Sequence, residues 1–202
     1  MLRTVALTRH YGAPMHVLDA LPERPGRLCY AKEWYRFPSH FFVHNSTDVQ
    51  FARSAFTGIL PHKFGSGKQH AVSGNEARVL GALERVLRWP WPETRTVPAR
   101  VNEFNRDEPD RYVPISTCDF LVDSDIGAAT PEEPRRGDEW TPLLCAPFLD
   151  AEASRIAAHT MPLKERIVAT AARTLWLPEM VSQHLTGAQS LQYGSYCLYR
   201  HS

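Results

Sequence analysis

Aromatic rings crowd one short part of this chain, between Leu28 and Phe64. They are interspersed with charged side chains, most densely in the string KEWYRF that starts at Lys32. The nine rings are Tyr30, Trp34, Tyr35, Phe37, Phe41, Phe42, Phe51, Phe56 and Phe64. Rings packed this densely beside charges suit either a strand that fills a core or a surface that stacks on sugar rings. Most predictions about the core and about function therefore concern this segment.

The first part of the segment, from Leu28 to Val43, has the alternating pattern of a β-strand. Pro38 interrupts the pattern, which predicts an edge strand or two short strands. In this strand one face would carry Tyr30, Lys32, Trp34 and Arg36, and the other Ala31, Glu33, Tyr35 and Phe37. We expect Tyr35 and Phe37 to fill the core. Lys32, Trp34 and Arg36 fit two roles equally well, bracing a neighbouring element or binding a ligand.

Three later segments have helical patterns. A capping box at Ser73 to Glu76 precedes an amphipathic helix of about three turns, which ends at the WPWP that starts at Trp89. Asp150 is placed to cap a helix over Ala151 to His159. Pro162 starts another helix that ends before Pro178. The buried stripe of that last helix is predicted to be Leu163, Ile167, Ala171 and Leu175.

Two further segments indicate strands. The apolar run CDFLVD from Cys118 to Asp123 is typical of a buried strand, and the last stretch, SLQYGSYCLYRHS, alternates as a terminal strand does. Helices and strands are mixed without a strict β-α-β-α rhythm. The sequence therefore predicts an α+β fold, with a mixed or mainly antiparallel sheet and a few helices in a single soluble domain.

The composition excludes some classes of partner. With 43% hydrophobic residues, 22% charged residues and a formal charge of +1, the chain is typical of a globular protein. A nucleic-acid binder normally shows a basic excess or stripe, so no nucleic-acid partner is expected. No apolar run approaches the ~20 residues that cross a bilayer. The first dozen residues also lack the apolar core of a signal peptide.

The four cysteines leave two interpretations open. Cys29, Cys118, Cys145 and Cys197 are widely spaced, with no CxxC pair and no zinc signature. They suit four buried thiols that pack as small hydrophobic groups. They also permit one or two disulfides formed in an oxidising compartment.

Asp123-Ser124-Asp125 is a D-x-D motif. Two carboxylates one residue apart can share a divalent cation against a nucleotide diphosphate. The same pattern is common in turns that follow apolar strands, where aspartates bond the backbone. We therefore predict no metal site, and keep a soluble nucleotide-sugar transferase that uses Asp123 and Asp125 as a rival hypothesis.

Several short blocks resemble one enzyme family in their order and spacing. They are CYAKEWYRFPSHF, QFARSAFTGILPHKF, NEFNRDEPDRYVPIS, CDFLVDSD and PFLDAEASR, with RHYGAPMHV upstream and a tyrosine-rich strand at the end. Together they resemble the lumenal C-terminal part of the α-1,2-mannosyltransferases of glycosyltransferase family 22, which have a GT-C fold. Residues near 68–91 and 161–173 depart from the family pattern as insertions.

The resemblance implies an endoplasmic-reticulum membrane enzyme of protein N-glycosylation. Its donor would be dolichyl phosphate mannose and its acceptor a lipid-linked oligosaccharide, with no further cofactor. The family's catalytic acid lies in an early lumenal loop, so no catalytic residue is expected in this chain, which alone would be inactive. Residues 1–27 would be a connector near the membrane, joined to missing N-terminal spans, and residues 28–202 a lumenal domain.

The resemblance also implies roles for particular residues. Lys32, Trp34, Arg36, Arg111 and Tyr112 are the expected contacts to the acceptor glycan. In an oxidising lumen Cys29 and Cys118 would form a disulfide, and Asn45, in the sequon Asn45-Ser46-Thr47, would be a glycosylation site. A non-catalytic sugar-binding or structural module remains the alternative to an enzyme part.

Overall fold

The structure is a computed structural model that describes residues 1–54, 58–61, 104–107, 109–126, 139–175, 177, 179–186 and 191–202. They belong to two compact units, Met1–Phe56 with Asp110–Ser202, and Thr57–Pro109. In the second unit Leu60 is buried, and the Ile59 amide donates a hydrogen bond to Asn105 Oδ1 over 2.9 Å. The helix predicted after Ser73 and the insertion predicted near 68–91 lie outside the described residues.

Six strands form one sheet in the first unit. They are β1 (Gly26–Tyr30), β2 (Thr47–Ala52), β3 (Tyr112–Val113), β4 (Phe120–Ser124), β5 (Trp140–Leu149) and β6 (Tyr193–His201). Their order across the sheet is β3-β2-β1-β4-β6-β5. β1 runs parallel to β2 and β4, and β2 runs parallel to β3, whereas β6 runs antiparallel to β4 and β5. The predicted α+β fold with a mixed sheet is confirmed.

Both faces of the central strands are buried. On one face, Cys29, Leu121, Cys197 and Tyr199 form a cluster with Cys118 and Trp140. The alternation of side chains places Leu28, Tyr30, Phe120, Val122, Tyr196 and Leu198 on the opposite face, where each is fully buried. A strand buried on both faces has a continuous apolar sequence, which is why Cys118 to Asp123 is recognisable as a strand.

β5 lies at the edge of the sheet and contains two prolines. Pro142 and Pro147 have no amide hydrogen to donate, and this is tolerated because β5 has a neighbouring strand on only one side in the described part of the sheet. A register shift between Pro142 and Leu144 interrupts the pairing with β6. The sequence did not predict this strand, since proline argues against a strand in the middle of a sheet.

The described helices are α1 (Leu2–Tyr11), α2 (Ala13–His16), α3 (Ala151–His159), α4 (Leu163–Thr174) and α5 (Glu179–Thr186). Short 3₁₀ helices cover Val17–Ala20, Lys32–Arg36, His40–Phe42, Pro109–Arg111 and Ile115–Thr117. The predicted cap of α3 is present, because Asp150 Oδ1 accepts a hydrogen bond from the Ala153 amide over 2.8 Å. Within the described ranges, no helix is long and apolar enough to span a bilayer.

The predicted buried stripe of α4 is wrong. Leu163 is 63% exposed and Ile167 is 61% exposed, whereas Ala169 and Ala172 are buried. Ala172 packs with Leu149 and Leu191. The helix therefore approaches the sheet through its small side chains, a face that the spacing of its large apolar residues did not indicate.

The segment predicted as a connector, residues 1–27, is folded. It contains α1, α2 and the start of β1, and it buries Ala6, His10, Ala13 and Val17. α1 packs against α4 and β5. Its proposed position near a membrane stays a prediction.

The strand predicted from Leu28 to Val43 is wrong beyond Tyr30. β1 ends there, Ala31 leaves the extended conformation, and the 3₁₀ helix Lys32–Arg36 follows. An extended strand would have put the Glu33 carboxylate among apolar side chains, where burial without a partner is costly. The turn instead brings Glu33 to polar partners.

Candidate functional site

The carboxyl ends of the four parallel strands β3, β2, β1 and β4 lie side by side. The line of these strand ends is called here the carboxyl edge of the sheet, as distinct from the outermost strand β5. β2, the next strand after β1 in the chain, lies on one side of β1, whereas β5 and β6, which follow β4, lie on the other side, so the strand order reverses between β1 and β4. In sheets of this kind ligands bind in the crevice at such a point, outside the carboxyl ends of the strands. The 3₁₀ helix Lys32–Arg36 and the end of β4 both lie there. We take this edge as the candidate site.

Glu33 is the centre of the site. It is 1% exposed, and its carboxylate accepts two hydrogen bonds from Arg36 Nη1, over 2.8 and 2.6 Å. It accepts a third from the Ser124 hydroxyl over 2.7 Å. Ser124 is the last residue of β4, so Glu33 joins the turn after β1 to the end of the neighbouring strand. The buried charge is thereby paired and hydrogen-bonded, as a buried charge must be.

Arg36 lies between two aromatic rings. Its guanidinium carbon is 4.7 Å from the centre of the Tyr35 ring and 4.5 Å from that of Phe148. The Arg36 side chain is 21% exposed. Within the described part of the chain its hydrogen bonds are donated by Nη1, which leaves Nε–H and Nη2–H as potential donors. The two rings and Glu33 hold these N–H groups of Arg36 in a fixed position.

Lys32 and Asp123 form a second ion pair. Lys32 Nζ lies 3.8 Å from Asp123 Oδ1, and the Asp123 side chain is 1% exposed. Each cation of the turn therefore has a carboxylate partner. Trp34 is half-buried, with its ring centre 5.8 Å from that of Tyr35. Tyr35 is 58% exposed, so the prediction that it fills the core is wrong.

The structure gives both D-x-D carboxylates other roles. Asp123 pairs with Lys32 and accepts a hydrogen bond from the Ser124 amide over 2.7 Å. Asp125 accepts one from the Ser195 amide over 2.5 Å, and thereby fixes the end of β4 to β6. No group of three metal-ligating side chains occurs among the described residues. These bonds are the ones expected of aspartates in a turn after a strand, and whether the motif holds a metal stays a prediction.

Two tyrosine hydroxyls are buried beside this network. Tyr30 and Tyr196 are each fully buried, and their hydroxyls have no hydrogen-bond partner among the described residues. Burial, and secondarily the charge of Glu33, raises the pKa of both phenols. Both stay protonated at physiological pH. The Tyr196 ring stacks on the ring of Phe148, with ring centres 5.7 Å apart, and Phe148 in turn contacts Arg36. These two stacked rings are referred to below as the wall of the candidate site.

The other two expected glycan contacts lie further along the same edge. Tyr112 begins β3 and is in register with Phe51 of β2, which is itself in register with Tyr30 of β1. At ~4.8 Å per strand, Tyr112 is roughly 10 Å from Tyr30 along the sheet. Arg53 lies over the Tyr112 ring at 5.1 Å. Arg111 precedes Tyr112 and is half-buried, and β2 separates this pair from the Lys32–Arg36 turn.

The structure joins the cysteines in two pairs. Cys29 is bonded to Cys118, the pair that the resemblance favoured, with Cα atoms 5.9 Å apart. Cys145 is bonded to Cys197, with Cα atoms 4.1 Å apart. Asn45 is exposed in the turn before β2, and its glycosylation stays a prediction.

Sequence comparison now relates the chain to a class of enzymes, the eukaryotic alpha-1,2-mannosyltransferases. The mouse (Mus musculus) protein named alpha-1,2-mannosyltransferase ALG9 is 37% identical over 168 residues, which cover 75% of this chain and 24% of that protein. The Schizosaccharomyces pombe protein of that name is 33% identical over 154 residues, covering 71% of this chain and 24% of its own length. The Saccharomyces cerevisiae protein is 26% identical over 211 residues, covering 98% and 33%.

The similarity to alpha-1,2-mannosyltransferases that the sequence blocks indicated is thus confirmed, since the chain resembles the proteins named ALG9 from several eukaryotes. It spans about a quarter of the length of the curated relatives that it matches. No protein-family model and no solved structure matches it.

Sequence reasoning missed several residues of the site. It places Glu33 only on a strand face and Ser124 only in the D-x-D motif, and it assigns Phe148 and Tyr196 to no site. Phe148 and Tyr196 are separated from the turn by more than a hundred residues, and they reach it through the pairing of β6 with β4 and of β5 with β6. A signal for Glu33 did exist, because a Glu three residues before an Arg predicts a pair on one helical turn.

Proposed function

We propose that this chain works as part of an α-1,2-mannosyltransferase that adds mannose to a lipid-linked oligosaccharide, with dolichyl phosphate mannose as donor. The observation that carries the proposal is its similarity, over about three-quarters of the chain, to mouse and fission-yeast proteins of that name. Since it spans only about a quarter of those proteins, the activity is proposed for the whole enzyme. No catalytic residue is assigned to the described residues.

We place this part of the enzyme at its C-terminal end, on the lumenal side of the endoplasmic-reticulum membrane. Two disulfides suit the oxidising lumen, since cytosolic thiols are kept reduced. An exposed asparagine in a sequon, Asn45, fits the same compartment. These observations support the location independently of the sequence comparison.

Within that enzyme, the turn Lys32–Arg36 is proposed to hold the acceptor glycan. The half-buried Trp34 offers an apolar face to a sugar ring, and Arg36 has donors directed by its contacts to Glu33 and Phe148. Because Lys32 and Arg36 are each paired with a carboxylate, the turn has little excess charge. Such a surface suits the neutral hydroxyls of mannose better than a pyrophosphate. Arg111 and Tyr112 would extend the contact along the sheet edge.

Replacement of the matched segment in the Saccharomyces cerevisiae relative tests the function. Deleting that segment should abolish mannose transfer from dolichyl phosphate mannose to lipid-linked oligosaccharide in isolated membranes. Inserting this chain in its place should restore transfer, and inserting its Trp34→Ala variant should restore less. Immunoblotting would confirm that all proteins reach equal levels. Full transfer by the deletion variant, or none by the folded chimera, would contradict the proposal.

A further inference from the structure

The two disulfides differ in their exposure to solvent. Cys29 and Cys118 are 0% and 3% exposed, so that bond is enclosed on both sides. Cys197 is 2% exposed, but its partner Cys145 is an exposed residue of the edge strand β5. We infer that Cys145–Cys197 is a redox-sensitive link, opened selectively by a dithiol that attacks at Cys145, and that its opening loosens the wall of the candidate site.

The position of the link on the sheet favours attack at one sulfur. In thiol–disulfide exchange a thiolate attacks one sulfur and expels the other, so access to the attacked sulfur limits the rate. β6 lies between β4 and β5, and β5 has no neighbouring strand on its other side in the described sheet. A thiolate can thus reach Cys145 from outside the sheet. Cys197 lies among Leu121, Trp140 and Tyr199, which exclude such an approach.

The reaction needs a dithiol reductant, of protein or small-molecule origin. Its first thiolate attacks Cys145 Sγ, the Cys145–Cys197 bond breaks, and Cys197 leaves with the electron pair and takes up a proton. The second thiol of the reductant, as its thiolate, then attacks the other reductant sulfur, the one that is bonded to Cys145 Sγ in the mixed disulfide. Cys145 is released as a thiolate that takes up a proton, and the reductant becomes a disulfide. Two electrons have then passed from the dithiol to the protein.

The link is coupled to the candidate site through both strands that it joins. Cys145 lies three residues before Phe148, whose ring contacts the Arg36 guanidinium at 4.5 Å. Cys197 follows Tyr196, whose ring stacks on Phe148. In the register of the two strands, Cys145 is directly opposite Cys197 and Phe148 is opposite Gly194. Opening the link removes the covalent restraint on the strand segment that places Phe148 against Arg36.

Differential alkylation of the oxidised 202-residue chain tests the selectivity. The protein is treated under native conditions with graded dithiothreitol, new thiols are trapped, and peptide mass spectrometry follows each cysteine. Cys145 and Cys197 should become labelled at least about fivefold faster than Cys29 and Cys118. With glutathione in place of dithiothreitol, the mixed disulfide should form on Cys145. Equal rates for the two pairs, or glutathione found on Cys197, would overturn the inference.

Hydrogen exchange tests the coupling. In the selectively reduced protein, peptides that contain residues 144–149 and 32–36 should exchange faster than in the oxidised protein. Peptides of α3 serve as an internal control and should be unchanged. A Cys145→Ser/Cys197→Ser variant should show the faster exchange without any reductant. Unchanged exchange in both segments of that variant would show that the link does not restrain the site.

Discussion

At the scale of single residues, two ion pairs of the same sequence spacing have different surroundings. Glu33 and Arg36 are paired three residues apart, with side chains 2% and 21% exposed. Glu152 and Arg155 are paired at the same spacing on α3, with side chains 67% and 53% exposed. The first pair also bonds Ser124, whereas the second faces solvent. Comparing the two pairs therefore tests how burial changes the contribution of an ion pair to stability when the sequence spacing is the same.

Glu33→Gln should destabilise the protein, and Glu152→Gln serves as the matched control. The Glu33→Gln change leaves Arg36 without its carboxylate partner. We expect it to cost roughly 2–3 kcal/mol in the free energy of unfolding, somewhat below the range for fully buried pairs because Arg36 is partly exposed. The Glu152→Gln change should leave stability unchanged, since exposed pairs contribute little. Urea unfolding monitored by tryptophan fluorescence measures both. Equal losses in the two variants would refute a special role for burial.

Tyr30→Phe tests the buried phenol. Its hydroxyl has no partner among the described residues, so removing it relieves a desolvation penalty while the ring keeps its packing. The free energy of unfolding should rise by about 1 kcal/mol. A decrease of similar size, measured in the same urea titration, would mean that the hydroxyl is bonded in solution.

At the scale of elements, His10 ties α1 to two other elements. Its Nε2 lies 3.3 Å from the carbonyl oxygen of Ala172 in α4, and its Nδ1 lies 2.8 Å from the Tyr193 hydroxyl of β6. Because a carbonyl can only accept, Nε2 carries the proton and Nδ1 accepts from Tyr193. His10 is 5% exposed, and burial lowers its pKa from the ordinary value of 6.5.

This lowered pKa predicts a pH dependence of stability. Well above pH 6.5 His10 is neutral in both the folded and the unfolded chain, and it adds no pH dependence to the free energy of unfolding. As the pH falls through that value, the unfolded chain takes up the proton first, so stability decreases until the folded pKa is also passed. Urea unfolding at a series of pH values from neutral down into the acid range should show this decrease, and His10→Gln should flatten it. An equal slope in the variant would assign the effect to other groups.

Elements with strong local signals could be predicted, and those that depend on distant partners could not. α3 has its cap in the sequence at Asp150, and β4 is an uninterrupted apolar run, so both are predictable. β5 contains prolines that only an edge position explains, and edge positions follow from pairings between distant segments. The buried face of α4 was missed because its contact uses alanines, which carry little periodic signal.

At the scale of the whole molecule, the fold depends on contacts between segments that are far apart in the sequence. β1 pairs with β4, and Cys29–Cys118 covalently closes the same interval, with a sequence separation of 89. The class α+β could be predicted from the mixture of elements. The strand order, the edge where Lys32 and Asp123 meet, and the neighbours of Arg36 could not, because no local pattern specifies which segments pair.

Cys29→Ala with Cys118→Ala should reduce the free energy of unfolding by about 4 kcal/mol, since the disulfide restricts a long loop in the unfolded chain. Guanidinium unfolding of the oxidised proteins measures the loss. Intact-mass measurement before and after reduction should show two disulfides in the parent chain and one in the variant. A parent mass that does not change on reduction would remove both disulfides from the account.

The central claim, that the turn after β1 holds a neutral glycan, is tested most directly by calorimetric titration of the 202-residue chain with a lipid-free, mannose-rich oligosaccharide. The parent chain and Arg155→Ala, a control arginine on α3, should bind equally. Trp34→Ala and Arg36→Ala should each bind about tenfold more weakly, through loss of an aromatic face and of directed donors respectively. Equal affinity in all four proteins, or no binding by the parent chain, would contradict the claim.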